Sequence, residues 1–385
     1  MQRRMAWTML AAVTSIGTTV ATRAQGRPPQ STALRVVIAG MVHGHVDGFL
    51  AGAVKRNDIE IVGVAEPDRA LFDTYAKKYG LDAKLYHADL QEMLNATHPA
   101  VVLVYTNTFD HRRVVETCAK YGSTQPAATT KQKGPAVMME KPLAVSAEDA
   151  HAIARVAEEA RMPVLVNYFT TWEPSRRAVY DVVHAGEIGD VRKLVAHNGH
   201  KGPKEIGVGP EFLRWLTDPK LNGGGALYDF GCYGAVFMTW LMGGEQPLTV
   251  TAVTLQIKPD VYPKVDDDAT IVLTYPKAQA VLQASWNWPF DRTDLEVYGQ
   301  TGTVFTRGRE VVEMRRAGET EAKRVAAKPL EPPNDDPLTY LKAVAVEGLK
   351  PAGMSSLEIN VVVAEILDAA RDSAESGKTV VLRRK

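Results

Sequence analysis

Met138-Met139-Glu140-Lys141-Pro142 follows directly on Val137, so an apolar, strand-like run ends in an ion-pairable dipeptide braced by proline. At the carboxyl end of a strand in an α/β sheet, a side chain faces the crevice where ligands bind. An ammonium placed there polarises a hydroxyl or stabilises a developing alkoxide, and burial readily moves its pKa. An isolated Glu-Lys-Pro also reads as a solvated turn. Position decides between the two: the segment lies about 100 residues after a strand–glycine–helix pattern and about 90 before a second glycine-rich cluster.

Upstream of that segment, apolar runs alternate with helical stretches. Leu34–Ala39 reads as a buried strand ending at Gly40, with a helical stretch to about Lys55. Ile59–Ala65 is a second strand, ending in Glu66-Pro67-Asp68, and a helix over Arg69–Tyr79 follows. Ala100–Tyr105 is a third, followed by a helix from about His111 to Lys120. Strands alternating with helices imply βαβ units and a parallel sheet. Ser123–Ala136 is polar and turn-rich, a surface insertion before the strand at Val137–Met139. Ser146-x-x-Asp149 is a capping box opening a helix to Ala160, and Val164–Tyr168 is the next strand.

Downstream the pattern changes. After a helix at about Ser175–Ala185, strand-like runs dominate: Val191–His197, Val250–Lys258, Ala269–Tyr275, Ala278–Trp286, Leu295–Gly299 and Thr303–Thr306. Tight turns between consecutive runs point to a largely antiparallel sheet. A long helix at Leu357–Ser376 closes the chain, with Ser355-x-x-Glu358 as its cap and Gly377 as its stop. The fold class is therefore α/β. A doubly wound domain over residues 33–167 is followed by an α+β domain with an open, largely antiparallel sheet over 168–385.

The length of 385 residues suits two cores rather than one, and 45% hydrophobic with 23% charged residues is ordinary for a globular chain. Arg3-Arg4, the apolar stretch Met5–Val20 and small residues at Ala21 and Ala24 form the pattern of an export signal over residues 1–24, by the Sec or the twin-arginine route. Residues 25–32 read as a linker. A retained membrane anchor is the alternative, but the run is short and holds five Thr or Ser residues. Removing the segment leaves 42 basic against 45 acidic side chains. No basic tract remains to suit nucleic acid or an anionic membrane. Cys118 and Cys232 lie on segments with different roles and read as buried thiols.

Gly40-Met41-Val42-His43-Gly44-His45 occupies the place of a dinucleotide-binding turn. In a G-x-G-x-x-G turn, glycines admit a pyrophosphate close to the N–H groups of a helix N-terminus. Only Gly40 holds its place; Val42 and His45 stand at the other glycine positions. Glu66, at the end of the second strand, is the acid expected to grip an adenosine ribose, favouring NAD over NADP; Arg69 nearby keeps NADP as the alternative. His43 and His45 read as phosphate neighbours rather than metal ligands, since no third ligand is near them in sequence. Thr106, Asn107 and His111 follow the third strand and suit the ribose and nicotinamide side, or simply cap the next helix.

The quoted segments, with VVIAG at 36–40, VGVAEPD at 62–68, TNTFDH at 106–111, MEKPLA at 139–144, AGEIGDV at 185–191 and GGGALYDFGCY at 223–233, resemble the glucose–fructose oxidoreductase / inositol dehydrogenase / MocA family. They span nearly the whole chain after residue 33, in order. The resemblance implies a two-domain NAD(P)-dependent oxidoreductase acting on sugars, polyols or related alcohols. It implies that Lys141 faces substrate and cofactor, that Glu140 contacts the nicotinamide ribose, and that Asp229 is the acid of the second cluster. Where many members carry histidine this chain has Tyr233, as in the glucose–fructose oxidoreductase and dihydrodiol dehydrogenase branches.

Asp229 and Tyr233 lie four apart and share a face if that segment is helical. A nearby Lys141 ammonium would lower the phenol's pKa and make Tyr233 a proton acceptor. Trp172 and His200 are the leading substrate contacts, an aromatic ring stacking on a sugar face while a polar group reads hydroxyls. Three functions compete. The first is an exported oxidoreductase with tightly held NAD and a small carbohydrate-like substrate, homo-oligomeric through its open sheet. The second is an NAD-dependent glycoside hydrolase or lyase working through transient oxidation of a sugar carbon, with His200 as candidate base. The third is a non-catalytic binding protein.

Overall fold

In the computed structural model, residues 33–124 and 134–382 are described; the expected export signal, the linker and most of the insertion before the Val137 strand lie outside them. Among the described residues no helix is long and apolar enough to cross a membrane.

The first sheet has six parallel strands: β1 (Leu34–Ala39), β2 (Ile59–Ala65), β3 (Tyr86–His87), β4 (Val101–Val104), β5 (Ala136–Glu140) and β6 (Val164–Asn167). Their spatial order is β3-β2-β1-β4-β5-β6. The order reverses between β1 and β4, which opens a crevice at the carboxyl ends of these strands. Helices α1 (His45–Ala53), α2 (Arg69–Tyr79), α3 (Leu90–Thr97), α4 (His111–Thr124) and α5 (Ala147–Glu159) supply the crossovers. All four residues of β4 and all five of β5 are buried, as continuous apolar runs inside a two-sided sheet must be. Ser146 caps α5 by accepting from the Asp149 N–H at 3.1 Å, as the sequence pattern indicates.

The chain then forms α6 (Pro174–His184), β7 (Val191–Gly199), α7 (Pro210–Leu216), α8 (Pro219–Asn222) and α9 (Ala226–Leu241). Strands β8 (Thr249–Leu255), β9 (Asp268–Thr274), β10 (Gln279–Ser285), β11 (Arg292–Gly299), β12 (Gly302–Thr306), β13 (Val311–Arg316) and β14 (Lys323–Ala326) follow. Last come α10 (Pro337–Glu347), α11 (Leu357–Ser376) and β15 (Val380–Val381). The second sheet has nine strands in the order β14-β13-β12-β11-β7-β10-β9-β8-β15. It is antiparallel except where β10 runs parallel to β7, because the crossover from β7 passes through α9 on one face. Helix α9 is buried almost all round, between this sheet and α11, as expected of a helix without a polar face. The cap of α11 is Ser356, one residue beyond the expected Ser355, and Gly377 ends that helix with φ +67°.

Helix α10 returns to the first sheet. Its Leu338, Tyr340, Leu341 and Val344 share a buried cluster with Val36, Ile38, Met138 and Leu165. Arg56 ties its start down through Asp336 at 2.7 Å.

Candidate active site

Gly40 ends β1 with φ +78°. A Cβ there would lie 2.6 Å from Cγ2 of Thr106, so only glycine lets the loops after β1 and β4 approach this closely. The turn leads into α1 at His45. Trp215 of α7 donates its indole N–H to the Val42 carbonyl at 3.1 Å. The buried His43 packs against Phe212 and Trp215, with ring centroids 4.7 and 5.3 Å apart. A Cβ on Gly44 would meet Phe212 at 2.9 Å. The second domain therefore lies directly over the dinucleotide turn.

A pocket of about 240 Å³ opens beside this turn, lined by Gly40, Val42, Glu66, Asp89, Thr106, Asn107, Asp110 and Arg113, among others. Glu66 lies in the wall of this pocket, just past β2, where the acid was expected. Its carboxylate is buried, accepting from the Met41 N–H at 2.7 Å and the Asp68 N–H at 2.9 Å. It shapes the turn first and offers a ribose only its remaining lone pairs. Burial raises its pKa against the pull of those two amides. Arg69 is bound to Asp73 at 2.8 Å and lies over the Tyr86 ring, so it does not line the pocket. Arg113 does line it but is paired with Asp110 at 3.1 Å. With acids lining the pocket and its arginine already paired, a 2′-phosphate has no free counter-charge, which suits NAD rather than NADP.

His111 is fully buried. Its Nδ1 lies 3.1 Å from the Leu143 carbonyl, which requires a proton on that nitrogen, and its Nε2 has no partner. Burial pushes its pKa down to about 4, so it is neutral and presents Nε2 as an acceptor only. Glu140 accepts from Asn167 at 2.9 Å and pairs with Nδ1 of His45 at 2.7 Å. Burial works to raise Glu140, yet His45, Asn167 and Lys141 hold it below the usual range. His43, His45 and Glu140 bring ligand-type atoms within 4.8 Å of one another. The contacts among them already engage those atoms: the His45 N–H donates to Nδ1 of His43 at 3.2 Å.

A larger cleft of about 570 Å³ is lined by Lys141, Asp229, Tyr233, His200 and His45, with Phe169, Phe212 and Phe230 among its apolar walls. Lys141 extends from the end of β5 to Asp229 in the first turn of α9. Its Nζ donates to the Asp229 carboxylate and, at 2.9 Å, to the Asp229 carbonyl. The other carboxylate oxygen accepts from the Trp286 indole at 2.9 Å. Burial opposes both charges, but each partner supports the other: Asp229 is held below the usual range and Lys141 above its own. The resting pair is an ammonium and a carboxylate.

Tyr233 shares the α9 face with Asp229, as their spacing requires, but its chemistry differs from the expectation. The Lys141 ammonium sits over the ring, 5.1 Å from its centroid, and is neutralised by Asp229. Burial, with Cys232 and Asp229 nearby, pushes the phenol well above its ordinary value. Tyr233 therefore rests protonated and presents its phenol O–H as a donor. His200 reaches the cleft after β7; its Nδ1 accepts from the Gly202 N–H at 2.9 Å, leaving the proton on Nε2. Burial lowers its pKa, with Asp229 opposing. Trp172 is not among the residues lining the cleft. Its indole donates to Asn167 at 3.0 Å and packs on Tyr340 of α10, so it supports Glu140 from behind instead of meeting a sugar.

Three contributors were missed from the sequence. Asn167 ends β6, where the same positional rule that singled out Lys141 would have found it. Trp286 and Asp266 carry no local signal. Asp266 caps α9 from a distant loop by accepting from the Gly225 and Leu227 N–H groups at 2.8 and 2.7 Å. Cys118 and Cys232 are buried free thiols.

A parallel sheet whose switch point carries a glycine turn, joined to a second domain whose helix α9 supplies half of an ammonium–carboxylate site, defines a two-domain nucleotide-dependent oxidoreductase architecture. Residues 34–168 match the model of the oxidoreductase family with NAD-binding Rossmann fold (GFO/IDH/MocA), and residues 176–305 match the C-terminal domain model of the same family. The chain belongs to the GFO/IDH/MocA oxidoreductase family. It is 24% identical over 241 residues to trans-1,2-dihydrobenzene-1,2-diol dehydrogenase of Macaca fuscata fuscata, and 25% identical over 241 residues to that of Bos taurus. Both alignments cover 63% of this chain and 64% of the relative's length. In fold, it matches the aldose-aldose oxidoreductase from Caulobacter crescentus complexed with glycerol. The TM-score is 0.75 at 20% identity, covering 91% of this chain and all of that one. It also matches an inositol dehydrogenase homolog from Azotobacter vinelandii complexed with NAD+, with a TM-score of 0.75 at 16% identity, covering 91% and 98%.

Proposed function

We propose that this chain is an NAD-dependent oxidoreductase that interconverts an alcohol and a carbonyl on a sugar-like substrate. The observation that carries the reading is the buried Lys141–Asp229 pair, spanning the two domains beside a pocket suited to NAD. The orphan acceptor on His111, the glycine-only approach at Gly40 and the absence, among the described residues lining the pocket, of an unpaired cation all fit that cofactor. When bound, it supplies hydride acceptance and return.

The chain's own residues handle the oxygen and the proton. Lys141, an ammonium at rest, donates a hydrogen bond to the reacting oxygen and gives up a proton when a carbonyl is reduced; in oxidation the ammonium first releases a proton to solvent, and the neutral amine then takes the proton of the alcohol. Asp229 keeps the ammonium charged and aimed, with Trp286 fixing the second carboxylate oxygen. His200 offers its Nε2–H, and Tyr233 its phenol O–H, to neighbouring substrate oxygens. Phe212 and Trp215 over the dinucleotide turn support slow exchange of the cofactor. The cleavage route through transient oxidation loses its candidate base, because His200 has its only free nitrogen protonated.

Export by the segment at residues 1–24 belongs to the same proposal, as does self-association through the outward face of the second sheet, where Val253 and Leu255 are 62% and 56% exposed. The test uses protein recovered from outside the cytoplasm. Its mature N-terminus and light-scattering mass are read, bound nucleotide is released by denaturation and identified, and a sugar panel is followed at the reduced-nicotinamide band. Bound NAD(H) and redox turnover are expected. Protein that neither contains nor binds NAD removes the assignment, a mature chain still carrying residue 1 removes export, and a monomer mass removes the association.

A further inference from the structure

The wall of the cleft around Lys141 and Asp229 is aromatic. Phe169 stands 39% exposed there, while Phe230 and Tyr233 are nearly buried beside it. Ring centroids lie 5.1 Å apart between Phe169 and Tyr233 and 6.1 Å between Phe230 and Tyr233. A phenylalanine left open to a crevice at the reacting end offers a ring face and nothing to hydrogen-bond.

The charges of the cleft point the same way. Among the described residues that line it, the lysines are both neutralised, Lys141 by Asp229 and Lys78 by Asp47 at 2.5 Å, and there is no arginine. Burial keeps His200 neutral. A substrate carboxylate or phosphate would lose its hydration here, find both ammonium groups already paired, and face the Glu211 carboxylate. A neutral ring loses little on desolvation and covers aromatic surface with its C–H face. An open-chain polyol covers less of that surface and gives up more rotor freedom on binding.

Resting on the oxidoreductase reading above, we propose that the substrate is a neutral ring alcohol held with its C–H face against Phe169 and Tyr233, and that Phe169 sets this preference. Uronic acids, sugar phosphates and nucleotide sugars are excluded by charge, and linear polyols by shape.

The test compares D-glucose and myo-inositol with glucuronate, glucose 6-phosphate and sorbitol on the full chain, its Phe169→Ala variant and its Phe169→Tyr variant. NAD binding is measured separately by tryptophan fluorescence. For a neutral ring, kcat/KM is expected to exceed that of its anionic counterpart at least tenfold. Phe169→Ala should raise the ring-substrate KM about tenfold with kcat little changed, and Phe169→Tyr should restore it, since the tyrosine ring keeps the stacking face. Turnover confined to anionic or linear compounds, or an unchanged KM in Phe169→Ala, overturns the proposal while NAD binding leaves the redox reading standing. Loss of NAD binding in the unmodified chain overturns both.

Discussion

The two pockets of this molecule are made in opposite ways. The smaller is lined by residues 39–114 alone and is shaped by backbone: a glycine with positive φ, a carboxylate spent on two N–H groups and a set of acids. The larger draws Lys141 from one sheet and Asp229 from a helix 88 residues further on, and its polar work is done by side chains. The first selects by closeness and by refusing charge. The second acts through a pair whose members would each be expelled from the interior alone.

That contrast can be broken most sharply at the larger cleft. Lys141→Met is expected to lower kcat by ~10²–10⁴-fold, the span of a lost general acid, while nucleotide binding persists. Tyr233→Phe should cost no more than about tenfold and remove no limb of the pH–rate profile, because a donor hydrogen bond is lost rather than a base. A loss as large as that of Lys141→Met would restore the phenol as base.

At the smaller pocket, Gly40→Ala places a Cβ against Thr106 at a left-handed φ. The strain is worth ~1–2 kcal/mol before any clash, so the expected outcome is a lowered melting temperature together with weakened NAD affinity. Unchanged NAD affinity would mean that the backbone approach at Gly40 does not shape that pocket.

The smallest effect is a slope. His111 titrates near 4 in the folded chain and near 6.5 when unfolded, so the unfolded state binds the extra proton first as pH falls. Stability is therefore full above about 6.5 and declines towards about 4, by ~1.4 kcal/mol per pH unit from this residue. His111→Asn keeps a donor near the Leu143 carbonyl and should flatten urea midpoints measured between pH 7 and 5. An unchanged slope would assign the acid sensitivity to His43, which burial lowers in the same direction.

Much of the first sheet was legible because its strands are mainly apolar runs alternating with helical stretches; the expected ranges of β1, β2 and α2 coincide with those observed. Lys141, Asp229 and His200 were legible for a related reason, each lying just past an apolar run or on a helical spacing. The surroundings of Glu66, Trp172 and Tyr233 were not. What an acid or a phenol does depends on which amides and charges surround it, and those come from segments tens to hundreds of residues away. The parallel pairing of β10 with β7 was equally hidden, since a run of strands does not reveal where a buried helix crosses between them.

The return of α10 to the first sheet sets a timetable for synthesis. Its apolar face closes over Val36, Ile38 and Met138 only when residues 337–347 exist. At ~5–20 residues per second, they leave the ribosome roughly ten to thirty seconds after β6. Throughout that interval the surface that α10 covers on the first sheet stays open.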